Sequence, residues 1–439
     1  MNRLLHLIFL SSLLLTLLPF SAAAGKDSAV APISLEEAIL LALEKNPDIK
    51  VARNEERIAR NNVHAGNAGL LPKIDLVSKA VYIENPGSAT PAGAESTTST
   101  AQLQATYTLF NGFGNIYTFR KLKSVGEIGT LQARNTIEQI VIDVSKAFYD
   151  LANAQEQLRV AGDAVEISAE RLRRAKLRSE YGQANTQEVL SSMVDANNDS
   201  VGWLQARLQK ENAERALNLL LGRPSATAGA VVTDVTFLPV MELDSLRAAA
   251  LNAGAEYLIA RTAVEQSRFE LLQARSGFFP RIDLQGGYGL SRTASGFDVG
   301  LNDTEPGLSA SLTLSYNLFD GFQTAIKTEN ARLALLNRSI LLLKASDIVE
   351  KKTADTYHAY MNSREILRFK ESNIESAELN FRRTKELYVL GQATGTTFRE
   401  AQLNLVDARK SIASARYEAK MLELQLMRLA GTLLVNGVR

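Results

Sequence analysis

Two hydrophobic periods alternate along this chain. A period of two runs through Ala101, Leu103, Ala105, Tyr107 and Leu109, with polar Gln102, Gln104, Thr106 and Thr108 between them. It returns at Leu308, Ala310, Leu312, Leu314, Tyr316 and Leu318, alternating with Ser309, Ser311, Thr313, Ser315 and Asn317. Each run predicts a strand with one apolar and one wet face, over 100–111 and 307–319. Noisier strands precede them at 73–84 and 281–292, the latter weakened by Gly286, Gly287 and Gly289. Polar loops at 86–99 and 293–306 join each pair.

A period of seven takes over afterwards. One rail reads Ile137, Val144, Leu151, Leu158, Val165, Leu172, and its neighbour reads Ile140, Ala147, Ala154, Ala161, Ser168, Ala175. Large residues on one rail and small on the other predict a coiled-coil seam that lets helices approach closely. The second half repeats it through Phe398, Leu405, Ile412, Ala419, Leu426 against Ala401, Ala408, Ala415, Leu422, Leu429. Tyr360, Leu367, Ile374, Phe381 and Tyr388 keep the same step. Helices are expected over 115–180, 183–221, 323–389 and 392–430, the longest about 100 Å at 1.5 Å per residue. Such pairs bury a narrow stripe only, so their other faces imply a further partner or a water-filled interior.

The chain is an internal duplication. Leu71-Pro72-Lys73-Ile74-Asp75-Leu76 recurs as Phe279-Pro280-Arg281-Ile282-Asp283-Leu284, an offset of 208. Tyr107-Thr108-Leu109-Phe110-Asn111-Gly112-Phe113 recurs as Tyr316-Asn317-Leu318-Phe319-Asp320-Gly321-Phe322, an offset of 209, as does Gly182-Gln183-Ala184 at Gly391-Gln392-Ala393. Markers in one order at a near-constant offset define repeats over 25–222 and 241–439. A linker at 223–240, punctuated by Pro224, Gly229 and Pro239, separates them. Each repeat also opens with a helix, 34–68 and 243–276. The first starts at Ser34 with Glu37 three residues on, a capping box, and is interrupted or kinked near Pro47.

Composition narrows the class. Residues 1–24 read as a signal peptide: Arg3, an apolar run from Leu4 to Leu18, then Ala22-Ala23-Ala24 before Gly25. No later stretch is long and apolar enough to span a bilayer as a helix, so re-entry into a membrane requires strands. A net charge of +1 argues against nucleic acid as a partner. Zero Cys removes disulfides, thiolate metal sites and thiol catalysis. Of ten Pro, none falls in 92–223 or 307–439, leaving those stretches free of the strongest helix breaker.

Four alternating strands of about ten residues match outer-membrane barrel strands. A four-stranded sheet in lipid leaves two edges of unsatisfied backbone groups, each costing several kcal/mol. Closure therefore requires several chains. Two would give eight strands around a filled interior, and three would give twelve around a lumen. With long helices continuing from it, the assembly reads as a tube.

The tandem halves, the two Pro-started strands, the strand ends Leu109–Gly112 and Leu318–Gly321 and the Gly-to-Gly helices resemble the TolC family of outer membrane efflux and secretion channels. The resemblance covers essentially the whole mature chain. It implies a homotrimer in outer membrane lipid: a mainly α protein whose β-hairpin pairs form a 12-stranded barrel continued by a long periplasmic α-helical barrel. It further implies an equatorial collar at 223–240, docking to a periplasmic adaptor, and service to an inner-membrane transporter of RND or ABC type. The missing Cys excludes the subtype with a lipid-bearing N-terminus.

The resemblance places a periplasmic aperture at the turns after the long helices, near a pattern Y-x-x-G-x-x-x-x-x-D-V-x-x-A. This chain offers Tyr388, Gly391 and Ala401, with Thr397 and Phe398 in place of Asp-Val; the first half offers Gly182, Glu188, Val189 and Ser192. Glu188, Tyr388, Arg399 and Glu400 are thus gate candidates, and Gly182 and Gly391 the glycines of the turns. Read without the family, Glu188, Arg399 and Glu400 are equally solvated helix residues near a turn. No catalytic, cofactor or metal constellation emerges. His64 and His358 are far apart, and Gly286-Gly287-x-Gly289 precedes no helix that would make it a phosphate cradle. A conducting duct for efflux or type I secretion and a non-conducting coiled-coil scaffold of the envelope remain the two readings; only the first explains the strands.

Overall fold

The computed structural model describes residues 32–84, 95–182, 185–239, 241–295 and 305–436. The signal segment and the loop tips at 85–94 and 296–304 lie outside those residues. Within them each half runs two short helices, a hairpin and two long helices: α1 (Leu35–Lys45), α2 (Pro47–Asn61), β1 (Lys73–Glu84), β2 (Glu95–Asn111), α3 (Gly114–Glu180) and α4 (Thr186–Leu220), then α5 (Leu243–Ala253), α6 (Ala255–Arg275), β3 (Arg281–Ser295), β4 (Glu305–Ser315), α7 (Gln323–Val389) and α8 (Gly395–Leu429), closed by α9 (Leu433–Asn436).

The opening helix of each half departs from the sequence expectation. The first is two helices, because Asn46 leaves the helical region and its Oδ1 accepts from the Asp48 and Ile49 amides while Pro47 takes the first helical position. It also ends at Asn61 rather than 68, where consecutive Asn residues and then Gly66 and Gly69 favour turns. The second is divided at Gly254, where a Cβ would lie 2.4 Å from the Ala250 carbonyl. Its α6 ends at Arg275, and a 3-10 turn at Ser276–Phe278 leads into β3.

The four strands form one antiparallel sheet in the order β1-β2-β3-β4, leaving β1 and β4 as open edges. β2 starts five residues earlier than expected, because Ser96 to Ser99 pair with β1 and β3 and so belong to the sheet rather than the loop. β4 stops at Ser315, opposite Arg281, the first residue of β3; among the described residues Tyr316 to Asp320 have no strand to pair with. Register stacks Leu76, Leu103, Tyr288 and Leu308 across one face. That apolar face is the outward one: Leu76 is 76% exposed and Leu308 83%. Gln102, Gln104 and Thr106 on the opposite face are half-buried. The sheet is inside-out relative to a soluble protein.

Sheet passes into helix through two matching joints. Asn111-Gly112-Phe113 and Asp320-Gly321-Phe322 each place Gly and the following Phe in the left-handed region, with φ of 64° and 65° in the first and 62° and 65° in the second. Each Phe caps its long helix and packs edge-on against the Phe three residues back, Phe110 or Phe319. Gly112 is covered within the chain: a Cβ there would meet the Ser276 carbonyl at 2.5 Å. Gly321 has open space around it.

The small rail of α3 is buried at all six positions from Ile140 to Ala175, whereas only Val144 and Leu151 of the large rail are. Close approach therefore uses the small residues. The main core sits at the middle of the long helices, where Phe148, Leu151 and Val144 pack with Ala38, Ile49, Leu217 and Leu424. The linker is strapped to this level. Ile33 and Val231 form a parallel bridge, and the buried Glu423 accepts from Tyr360 Oη at 3.0 Å and the Leu238 amide at 3.1 Å. Arg364 lies over the Phe237 ring at 4.2 Å. Away from this level α4 is thinly covered, with Leu190, Val194, Val201, Leu204 and Leu208 exposed, and so is α7 at Leu336, Ile340 and Leu343.

Candidate functional site

At the end remote from the sheet, α3 turns into α4 and α7 into α8. Gly182 (φ +72°) and Gly391 (φ +76°) terminate α3 and α7 in the left-handed conformation that ends helices without a Cβ penalty. Asn185 and Thr394 then cap α4 and α8, accepting from the Glu188 and Thr397 amides at 2.9 and 3.2 Å. The cap brings Glu188 to the first turn of α4, where an acid is favoured. The first turn of α8 carries no acid.

Two of the gate candidates meet across the two hairpins. Tyr388 Oη donates to Glu188 Oε1 at 3.3 Å, and Arg178 Nη1 stands 3.9 Å from the same carboxylate. Burial, and then the Glu188 charge, push the Tyr388 phenol above its ordinary pKa, so it remains a donor at neutral pH. The ring is held by Phe398, stacked on Tyr388 at 4.9 Å and tilted against Phe381 at 5.6 Å. These rings and Leu405 floor a groove of about 470 Å³ between α3 and α7, rimmed by Arg171, Arg382 and Lys385.

Arg399 and Glu400 do not join that contact. Glu400 is exposed. Arg399 makes a bidentate pair with Asp199 of α4, at 2.6 and 2.9 Å, and stands 3.6 Å from Asp195. That pairing raises the hold of the guanidinium on its proton. Arg171 of α3, 4% exposed, donates to Asp195 at 2.6 Å. Gln402 donates to Asp199 at 3.3 Å and to the Ala164 carbonyl of α3 at 3.2 Å. One polar clamp thus ties α8 to both helices of the first hairpin. Sequence reasoning missed Arg171, Asp195, Asp199 and Gln402. The readable signal was the spacing of Asp195 and Asp199, four apart on one face of the helix, with no basic residue between Thr186 and Ala206 of α4 to pair with them locally.

His64 lies in irregular chain past the end of α2 and His358 in α7; both are exposed and far apart in the chain. Among the described residues no group of three or more His, Asp or Glu is placed to hold a metal ion, and no helix is long and apolar enough to cross a membrane.

The chain matches the outer membrane efflux protein family twice, over residues 38–223 and 246–432. It is 25% identical over 424 residues to outer membrane protein TolC of Vibrio cholerae, covering 94% of each chain. It is 24% identical over 404 residues to the alkaline protease secretion protein AprF of Pseudomonas aeruginosa, covering 88% of this chain and 82% of that one. Among solved structures, the CmeC outer membrane channel of Campylobacter jejuni aligns with a TM-score of 0.77 at 17% identity, covering 91% of this chain and 86% of that one. At that identity the likeness shows the fold. With most of its length matched in two successive segments, and with an inside-out sheet running into paired long helices, the chain belongs to the outer membrane efflux protein family.

Proposed function

We propose that this outer membrane protein is the passive exit duct of a tripartite efflux pump or type I secretion system. Three copies close a 12-stranded barrel, and a periplasmic adaptor and an inner-membrane transporter deliver the cargo. The observation that carries the reading is the sheet. Its apolar face is exposed, the opposite face carries the polar positions Gln102, Gln104 and Thr106, and both edges are open among the described residues, a combination that is satisfied when copies close edge to edge in lipid. The α4 and α7 stripes lie at the lateral edges of the helical layer and continue the same seam. The cell-envelope fraction should yield a trimer that resists dissociation in detergent until heated. Recovery of a detergent-free, water-soluble monomer would sink the proposal.

The aperture belongs at the turns after Gly182 and Gly391, with Glu188 and Tyr388 holding the two hairpins together. Their single hydrogen bond is worth about 0.5–1.5 kcal/mol, enough to bias an opening without locking it. Glu188→Ala should therefore raise the frequency of open events and change cation block in planar bilayers while leaving the trimer intact. An unchanged record would place the gate elsewhere.

A further inference from the structure

Where β2 passes into α3, the apolar face of the sheet runs on into a line of rings and bases. Past the bulge between Thr108 and Phe110, Phe110 stands opposite Ile282 and so joins the exposed apolar face. Phe113 packs edge-on against it at 5.3 Å and is 53% exposed. Ile116, Arg120 and Lys123 continue the line down α3 at spacings of three, four and three, one face of a helix. All three are exposed. Arg120 lies beside the Phe269 ring of α6 at 6.0 Å, and Lys123 over the Phe119 ring at 4.8 Å. Rings thus hold both cations just below an apolar surface.

The charge on this line is unspent. From Phe113 to Gly126 the chain carries Arg120, Lys121 and Lys123 and no acid; the first is Glu127, farther from the sheet. Among the described residues Arg120 and Lys123 make no ion pair with it, with Glu55 or Glu56 of α2, or with Glu265 or Glu270 of α6. Glu56 and Glu270 are engaged by Arg60 and Gln266. The second repeat does not reproduce the pattern. At the offset of 209, Arg120 and Lys123 correspond to Glu329 and Arg332 of α7, which pair with each other at 3.1 Å.

Continuity with the lipid-facing sheet decides what covers the line. Arg120 starts about 10 Å beyond Phe113 at 1.5 Å per residue, and headgroups extend a bilayer by roughly 5–8 Å beyond each side of the hydrocarbon. A long basic side chain spans the difference. Phe113 and Ile116 then meet acyl chains while the bases meet phosphate, the order in which a lipid presents them. We propose that Arg120 and Lys123 of each α3 bind the headgroup of an anionic phospholipid in the periplasm-facing leaflet of the outer membrane. The inference rests on the membrane placement of the sheet in the duct reading.

The test is native mass spectrometry of the full-length trimer in detergent, titrated with equimolar dioleoylphosphatidylglycerol and dioleoylphosphatidylcholine, whose tails are identical. Phosphatidylglycerol should be retained with a preference of about thirtyfold, the scale set by two basic side chains near an anionic surface. Arg120→Gln/Lys123→Gln should bring the preference near parity, whereas Glu329→Gln/Arg332→Gln at the α7 counterpart should leave it intact. If the first pair does not assemble, Lys123→Gln alone is the reading, with about a fivefold loss. Equal retention of the two lipids by the wild type, or a preference unmoved in an assembled Arg120→Gln/Lys123→Gln variant, overturns the inference while leaving the duct intact. Displacement of the lipid by inorganic phosphate but not by chloride of equal ionic strength would make this a phosphate site and overturn the lipid assignment. A chain that yields no trimer sinks the duct reading and this inference with it.

Discussion

Leu103→Arg is expected to abolish assembly in the outer membrane. Leu103 sits near the middle of β2, in the exposed layer that Leu76, Tyr288 and Leu308 complete. A charged side chain on the lipid face of a barrel costs about 2–4 kcal/mol at mid-depth, and each copy in the closed barrel would carry one. A water-exposed surface Leu at the same accessibility would tolerate Arg with almost no loss, so the substitution separates the two environments. Gln104→Arg is the matched control, one position along on the half-buried polar face. The measurement is the amount of heat-modifiable trimer in outer membrane fractions. Loss for Leu103→Arg with retention for Gln104→Arg is the expected pair of results; equal recovery of both would mean that the exposed face does not meet lipid.

Arg399→Met should loosen the aperture end far more than any change at Glu188. The substitution leaves Asp199, 11% exposed, without its bidentate partner, and Asp195 with Arg171 alone. Removing one member of a buried pair costs about 3–5 kcal/mol, and the partial solvation here places the effect near about 3 kcal/mol. Two further atoms of the network, Arg171 Nε and Gln402 Oε1, are buried without a hydrogen-bond partner. An incompletely satisfied polar network is a weaker lock than its number of charges implies, which suits a joint that has to release. Amide hydrogen exchange in the α3–α4 and α7–α8 turns should accelerate by about two orders of magnitude, and bilayer recordings should show longer open times. Arg399→Met/Asp199→Leu should recover part of the loss, since the stranded charge is gone. Exchange rates unchanged in Arg399→Met would remove the clamp from the mechanism.

What the sequence disclosed followed from periodicity. Alternation in β2 and β4, the seven-residue rails of α3 and α8, and the offset of the repeats each depend on residues that fill one face. Such faces are visible in a single chain whatever packs on them. The Gln102 and Leu103 pattern told which face was wet, and the match to outer-membrane barrel strands put the apolar one outside, where Leu103 and Leu308 are exposed. What stayed hidden depended on one residue or on distant pairs. Asn46 broke the first helix by turning its amide oxygen onto two backbone N–H groups, a choice a helical pattern does not reveal. Thr98 was read as loop until its pairing with β1 and β3 made it strand. Arg399 was placed near the gate by resemblance, but its partners Asp195 and Asp199 lie about 200 residues away, and only the three-dimensional arrangement of α3, α4 and α8 brings them together.

The unequal surroundings of Gly112 and Gly321 turn the duplication into an addressing scheme. Carrying the repeat offset over to the next copy of the ring predicts, for each contact across the boundary between the halves, a counterpart that runs from one subunit to the next. Ser276 and Phe279, which cover Gly112, correspond to Ala68 and Leu71 of the first repeat, so those residues of an adjacent copy are the ones due at Gly321. Likewise the pairing of Asn111 with Arg281 is transposed to Asp320 facing Lys73 of the neighbour, an acid opposite a base at the barrel seam. On that reading the contacts the chain makes with itself write out the register expected between its copies.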